Sequence, residues 1–541
     1  MYFTEAVRIP VCPVGTPRAV IVGAGAIGLY AASLLADRGY QTIVIEAGDS
    51  QLGNFSSESW RSVGRSHSGI RLARSRNLGG TTSLWGGQLV EFQPVDFADR
   101  AWRPRAQWPI TYDEIAPWYR STYINLGFPA KVISDADVWR DSGAERPDLG
   151  PDFEVFFSRW LGIPNFAQFF APQIESHPKL CVLAGHTVTG FRGDGNRIHA
   201  VRAVDTRGQA HWVNGDIFLL AAGTVENVRL LLHIAQDPAW SAPWSTNPNI
   251  GLFFQDHLAG RVGAFHPANR KEFFNTFANL VHARYKFQPK IRMRNEVLAS
   301  QQIYNAHAYF AFESEMSEHL VFLKQFLKAA LYNRKISGIC DVFRKGTGIV
   351  HFLLPLMWRY VWDHRVFVPS TAKTFLLIQA EHGRNPASRI TIDNSFTDEY
   401  GLPRVVLDWR LGGDELQSFR VFALGIRDAL RKAGVGELEI DPRLLSLDPE
   451  YLDTLGDIYH QAGGTNMASS AEHGVVDRDL RVFGTSNLYI GGPSVFPTTS
   501  NANVTFTALA LITRLADHLS RIYSVSGPFS AAAALEEPAR V

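Results

Sequence analysis

Four apolar residues in a row, Ala19-Val20-Ile21-Val22, lie between Arg18 and Gly23. The run is too short for a helix and reads as a strand buried on both faces. Ile27, Ala31, Leu34 and Leu35 then recur at helical spacing until Gly39 stops them. A second run, Thr42-Ile43-Val44-Ile45, ends at Glu46-Ala47-Gly48. The order is strand, glycine-rich turn, helix, strand, acid. Further on, Asp113 and Glu114 mark the first turn of a helix starting near Thr111, and residues 121–178 carry no clear motif. Short strands are predicted at Val182-Leu183, Thr187 to Phe191, Ile198 to Val201 and Ile217 to Leu220. A turn follows at Ala221-Ala222-Gly223-Thr224, then a helix with Val225, Val228, Leu231 and Leu232. Alternation in Arg389-Ile390-Thr391-Ile392 and Val406-Leu407-Asp408-Trp409, around Gly401-Leu402-Pro403, predicts strand, turn, strand. Phe419 to Ala433 reads as an amphipathic helix. Leu488-Tyr489-Ile490 is a last strand, and an apolar helix begins at Asn503. No internal repeat is present.

The first turn, Gly23-Ala24-Gly25-Ala26-Ile27-Gly28, has the spacing of a dinucleotide site. Gly23 makes the tight turn, Gly25 lets the backbone approach a pyrophosphate, and Gly28 permits close helix–strand packing. Glu46, beside Ala47, can accept hydrogen bonds from ribose hydroxyls, which disfavours a ribose 2′-phosphate. This motif alone leaves FAD and NAD unseparated. A second glycine-rich stretch, Gly79-Gly80-Thr81-Thr82-Ser83-Leu84-Trp85-Gly86-Gly87, offers amides and small hydroxyls for phosphate or a flat ring. His460 lies in a glycine-rich loop, and Asn503 opens the last helix. One base and one amide are thereby delivered to element ends. The structural alternatives are a satisfied core histidine and a helix-capping asparagine.

Composition bounds the function classes. A chain of 541 residues suits about three average domains or two large interleaved ones. Hydrophobic residues at 46% and charged residues at 19% fit a globular enzyme with a sizeable core. A net charge of +1 removes the electrostatic case for a nucleic-acid partner. Cys12, Cys181 and Cys340 are too scattered for a metal motif or a disulfide framework, as suits a reducing compartment. Met1 to Gly15 has no apolar leader core, and the apolar run Gly348 to Trp358 is too short to span a bilayer. A cytoplasmic location is therefore expected. The tail after Ile522 is expected to be disordered.

Taken together, these stretches resemble the glucose-methanol-choline (GMC) flavin oxidoreductases. The resemblance rests on the Gly23–Gly28 unit, the Gly79–Gly87 loop, the strand–Ala221-Ala222-Gly223–helix join and Asn249-Ile250-Gly251 with Gln255-Asp256-His257. It rests above all on the stretch from Tyr459-His460 to Leu511. Arg481-Val482-Phe483-Gly484 through Gly491-Gly492 is most similar to the pyranose oxidase branch. The resemblance implies an α/β fold in which a Rossmann-type FAD-binding domain is interleaved with an α+β substrate domain carrying a mostly antiparallel sheet. The FAD domain would comprise residues 1–95, 179–260 and 456–523, and the substrate domain 96–178 and 261–455, with 524–541 as a tail. Strands 389–392 and 406–409 resemble the sheet roofing the substrate pocket. FAD is favoured over NAD because the Gly79–Gly87 loop resembles one that wraps a flavin. Cofactor contacts are then implied for Gly23, Gly25, Ala26, Ile27, Gly28, Glu46, Ala47, Gly79, Gly80, Thr81, Thr82, Trp85, Gly86, Val188, Ala222, Gly223, Gly492, Val504 and Thr505.

By position, His460 and Asn503 match the family's catalytic pair, while His257 reads as structural. Two departures stand out. Ser83-Leu84-Trp85 lacks the histidine that links flavin covalently in pyranose oxidases, so FAD is expected to be non-covalent. Gly491-Gly492 replaces an acid found in many members. The implied activity is oxidation of an alcohol, on a sugar, glycoside or polyol, with His460 taking the hydroxyl proton and hydride passing to the flavin. Reduction is expected to quicken as pH rises through the ordinary histidine pKa of about 6.5. A cyanohydrin lyase of the same fold and a quinone-linked aliphatic or sterol-type alcohol dehydrogenase are the alternatives. Oxygen, a quinone or another acceptor would reoxidise the flavin, and an oligomer is compatible with the sequence. The basic amphipathic segment 319–368 reads first as an arm packed on the body or another subunit, and second as a membrane-surface contact.

Overall fold

The computed structural model describes residues 16–523, apart from 51, 52, 54, 101, 103–106, 144, 315–357, 360 and 361. The N-terminal arm, the tail and most of the basic segment 319–368 lie outside the described residues.

The apolar runs assemble into a five-stranded parallel sheet. Its strands are β1 (Arg18–Val22), β2 (Gln41–Ile45), β3 (Leu180–Leu183), β4 (Ile217–Leu220) and β5 (Leu488–Ile490). The order is β5-β4-β1-β2-β3, with Val20 registered against both Ile43 and Phe218. Helices cover such a sheet on both faces, which is why its strands are nearly continuously apolar. Three helices matter for the site: α1 (Ala26–Asp37), α2 (Thr224–Ile234) and α3 (Val504–Ile522). Helix α1 is buried almost all round, and Tyr30 Oη meets Thr513 Oγ1 of α3 at 2.8 Å. Gly28 holds α1 against β1: a Cβ there would stand 1.8 Å from Gly23 O.

A nine-stranded antiparallel sheet stands beside this unit. Its central strands are Leu258–Pro267, Lys373–Ala380, Ala306–Glu313, Tyr285–Met293 and Phe153–Trp160. One face packs on the helix Glu415–Lys432, where Phe422 meets Phe153 edge-on at 5.5 Å. The opposite face presents Lys290, His307 and Gln379. The cross-strand pairs Arg292↔His307 and His307↔Gln379 fix their register, and all three are buried.

The hairpin Arg389–Thr397/Pro403–Trp409 differs from its expected place. It forms a separate three-stranded sheet with Trp60–Gly64. It is tied to the cofactor side: Ile390 N donates to Gly251 O at 2.8 Å. Arg229 of α2 donates to Pro403 O and Leu402 O and pairs with Asp398. These three bonds to one buried guanidinium hold the turn of the hairpin against α2. A further antiparallel sheet comprises His186–Asp194, Arg197–Asp205 and Ala210–Asn214. No helix among the described residues is long and apolar enough to cross a membrane.

Candidate active site

A cavity of about 460 Å³ opens at the carboxyl ends of β1, β2 and β4, where open α/β sheets place their ligands. The turn after β1 lines it with Gly23, Gly25, Ala26 and Ile27. A Cβ added at Gly25 would meet nothing within 4 Å, so this backbone faces open space. The end of β2 contributes Glu46 and Ala47. Glu46 Oε2 accepts from Ala24 N and Oε1 from Gly48 N, both at 2.8 Å, which leaves each oxygen a lone pair for a ligand hydroxyl. Burial raises this carboxyl to about 6, against those two N–H bonds. Gly80, Thr81, Val188, Ala222, Gly223, Gly492, Val504 and Thr505 complete the lining among the residues expected to do so. Glycine-rich amides, a strand-end acid and a helix start thus converge as a dinucleotide cradle requires, and the residues present fit FAD.

Five expected contacts stand off this cavity. Gly28 serves the packing already described. Gly79 is in a left-handed conformation against Asn165 and Ala167. Thr82 Oγ1 donates to Gly79 O and accepts from Phe166 N. Trp85 Nε1 donates to Pro164 O at 2.7 Å, and its ring stands edge-on to Phe166. Gly86 packs against the Trp160 ring. The loop is therefore pinned by its far half, and only Gly80 and Thr81 reach the cavity. Of the Gly491-Gly492 pair that stands in place of an acid, Gly491 is the crowded member. A Cβ there would lie 2.8 Å from Ile27 and 2.9 Å from Ile512.

His460 and Asn503 come together beside the cavity, each next to residues that line it. Asn503 Nδ2 lies 3.0 Å from His460 Nε2. Asn503 starts α3 but makes no side-chain cap bond, so the helix-capping alternative fails. Its Oδ1 is buried without a partner among the described residues. His460 is held at its backbone: its N–H donates to Asp256 Oδ1 at 2.8 Å. Tyr459 before it and Ser500 near Asn503 are non-glycine residues with positive φ, 70° and 57°. Such strain costs about 1–3 kcal/mol each and is sustained by the surrounding contacts.

The ring is held from behind by a residue that read as structural. His257 Nδ1 meets His460 Nδ1 at 2.8 Å. His257 Nε2 faces Thr499 O at 3.0 Å and Ser500 O at 2.9 Å. Carbonyls only accept, so Nε2 carries the hydrogen of His257 and its Nδ1 is a lone pair. Gln379 Nε2 also points at that lone pair, at 3.3 Å. The proton between the rings therefore belongs to His460 Nδ1. This leaves His460 Nε2 as an acceptor, with the Asn503 amide donating to it. Burial, then the His257 ring, push His460 down to about 3.

Asp256 is anchored in turn by His67. Ile70 N donates to His67 Nδ1 at 3.0 Å, so His67 Nε2 donates to Asp256 Oδ2 at 3.0 Å. Burial works to raise Asp256, but the His67 bond together with the fields of His67, His460 and His257 outweighs it and holds the carboxyl below its ordinary value. His67, Asp256 and Asp457 are close enough to suggest a metal centre. Their atoms are instead engaged with one another and with the N–H groups of Ser68 and Gly69.

Comparison with known proteins gives two family matches. Residues 18–238 match the FAD dependent oxidoreductase family, and residues 385–511 match the GMC oxidoreductase C-terminal family. A 2-methyl-1,2-propanediol dehydrogenase of Mycolicibacterium austroafricanum is 21% identical, over 83% of this chain and 81% of that one. A pyranose 2-oxidase of Emericella nidulans is 30% identical, over 26% of this chain and 24% of its own. Among solved structures, pyridoxine 4-oxidase from Mesorbium loti superposes with a TM-score of 0.59 at 19% identity. That match covers 94% of this chain and 99% of that one, and it shows the shared fold. The chain is an FAD-dependent oxidoreductase that carries a GMC oxidoreductase C-terminal domain over residues 385–511.

Proposed function

We propose that the protein oxidises an alcohol carbon of a sugar, glycoside or polyol, with His460 as general base and Asn503 as hydrogen-bond donor to the same oxygen. The observation that carries this reading is the unprotonated Nε2 of His460, 3.0 Å from the Asn503 amide and beside the dinucleotide cavity. Bound FAD supplies the acceptor for the hydride that leaves the alcohol carbon. The chain must remove the hydroxyl proton, because only then is the product a neutral carbonyl. Asn503 cannot take a proton, but its amide can stabilise alkoxide character on the oxygen. Its buried Oδ1 is an acceptor for a further substrate hydroxyl. The sugar or polyol preference is supported by the likeness to the pyranose oxidase and the diol dehydrogenase. The test is an anaerobic panel of D-glucose, glycosides, 2-methyl-1,2-propanediol and aliphatic alcohols, read as bleaching of the flavin, then reoxidation by air or quinone. Flavin that stays oxidised with every alcohol would sink the reading.

On this reading Glu46 holds the FAD ribose, and Leu84 leaves the flavin unlinked. Acid precipitation should release the yellow colour into the supernatant, and colour kept in the washed pellet contradicts it. Ribose hydroxyls donate best to an ionised carboxylate, so FAD binding lowers the Glu46 pKa from about 6. Affinity should then be full above pH 6 and fall by up to about tenfold per unit below it. The free protein should show the opposite sign. A carboxyl raised on folding adds stability below its unfolded value and loses that contribution as pH rises through 6. Reconstitution titrations at pH 5 and 7.5, with Glu46→Gln as the flat control, measure this.

A further inference from the structure

His460 is not a solitary base. Its ring stands at 85° to that of His257, with centroids 4.9 Å apart and one hydrogen between the two Nδ1 atoms. Resting on the alcohol-oxidation reading above, we propose that the two imidazoles act as one base, with His257 as the positioning residue that fixes the His460 tautomer and receives the displaced proton. The step balances as follows. The substrate O–H bond breaks and leaves its electron pair on oxygen, while the lone pair of His460 Nε2 forms a new N–H bond. The His460 Nδ1–H bond breaks, its electrons stay on that ring, and the lone pair of His257 Nδ1 takes the proton. His460 ends neutral with its hydrogen on Nε2, where it can donate to the product carbonyl. The positive charge ends on His257.

The surroundings suit that transfer. His257 Nε2–H already has two carbonyl acceptors, from Thr499 and Ser500. Both belong to the loop that carries Asn503, and Ser500 is clamped by its Oγ–H bond to Asp96 at 2.6 Å. Gln379, which points at the same lone pair, has a second acceptor in Asn501 O at 2.8 Å and can let the first go. Burial lowers His257 from its ordinary value, and Asp256, its neighbour in the chain, the two carbonyl bonds and Glu381 work against that by favouring the charged ring. The other titratable groups around it, His460, His307 and His382, are kept neutral by burial, and Lys290 is brought down to about 7. An imidazole with a low resting pKa is a poor base when isolated. Passing the proton on places the charge beside Asp256, away from the substrate oxygen.

The holoenzyme tests this by two readouts. Nitrogen-15 NMR of histidine-labelled wild type, without substrate, should show His460 protonated on Nδ1 and bare on Nε2. His257→Gln, which keeps a donor for the carbonyls but presents no acceptor to His460, should shift that hydrogen to Nε2. His257→Asn keeps an acceptor that cannot take a proton, so the tautomer should persist while anaerobic flavin reduction slows by about 10–100-fold. In mixed light and heavy water, the wild-type reduction rate with the best alcohol of the panel should bend as two protons in flight require. The Asn variant should give a straight line. A straight wild-type line, or an Nε2-protonated His460 in the wild type, overturns the proposal, and neither measurement needs a variant that folds. Failure of the underlying reading looks different: His460→Ala would then reduce its flavin at the wild-type rate.

Discussion

Replacing His460 by alanine should slow anaerobic reduction of the bound flavin by about 10²–10⁴-fold, the usual cost of losing a positioned base. FAD should stay bound, because the cavity is lined by the neighbours Tyr459 and Gln461 and not by the His460 ring. The same comparison corrects the expected pH dependence. An unperturbed histidine would make reduction quicken through pH 6.5. Burial and the His257 ring bring His460 to about 3, so the base is already unprotonated throughout the working range. Reduction by the wild type should accordingly be flat between about pH 5 and 8, well above that value. Asn503→Ala should cost less, up to about 10²–10³-fold, since it removes one donor and leaves the base. Stopped-flow absorbance of the flavin band, with one alcohol of the panel, measures all three. An alanine variant that reduces at the wild-type rate would move the base elsewhere.

Arg100→Ala should lower stability by about 3–5 kcal/mol, the cost of leaving one member of a buried ion pair alone. Arg100 grips Glu381 with two bonds, 3.0 and 2.9 Å, and the two side chains are 1% and 0% exposed. Burial works to lower the guanidinium and Glu381 outweighs it, so Arg100 ends above its ordinary value. Without it, two buried carboxylates, Glu381 and Asp96, face one another's field, and the clamp from Asp96 to Ser500 weakens. The loop that carries Asn503 then loosens. The double variant Arg100→Met/Glu381→Leu should recover most of the loss, because apolar groups of similar volume replace a buried pair at little cost. Urea unfolding of the holoenzyme, followed by release of flavin fluorescence, gives the comparison. A single variant within about 0.5 kcal/mol of wild type, the span of an ordinary surface change, would contradict it.

Features written in adjacent residues could be read from the chain. The Gly23–Gly28 turn, the acid at Glu46 and the strand Leu488–Ile490 each follow from local pattern, and each falls where the pattern put it. Partnerships between distant residues were not legible. Gln255-Asp256-His257 suggested a family signature, yet nothing local shows that Asp256 holds the backbone of His460 or that His257 holds its ring. Gln379 is farther still, on a strand whose face is set by register with Ala306–Glu313. A signal was available in kind: a strand otherwise apolar that carries a buried amide needs a partner. The hairpin at 389–409 was misplaced for the same reason, since it pairs with Trp60–Gly64 and is held by Arg229, both far away in sequence. The Trp85 half of the second glycine loop was assigned to the flavin because small and aromatic residues suit a ring. They suit packing on Phe166 and Trp160 equally well.

The five-stranded sheet also sets an order of events in time. Its middle strand, Arg18–Val22, needs Ile217–Leu220 on one side, and the edge strand Leu488–Ile490 closes the sheet. At a synthesis rate of about 5–20 residues per second, that last strand leaves the ribosome roughly 25 to 95 seconds after the first. Until then the apolar flank of Ile217–Leu220 has no covering strand, and Asn503 has not yet been made. Ile217–Leu220 therefore waits for its partner strand through about half of the synthesis of the chain. An edge of that kind is one that chaperones shield, and the dinucleotide cavity is complete only once Gly492, Val504 and Thr505 have been made.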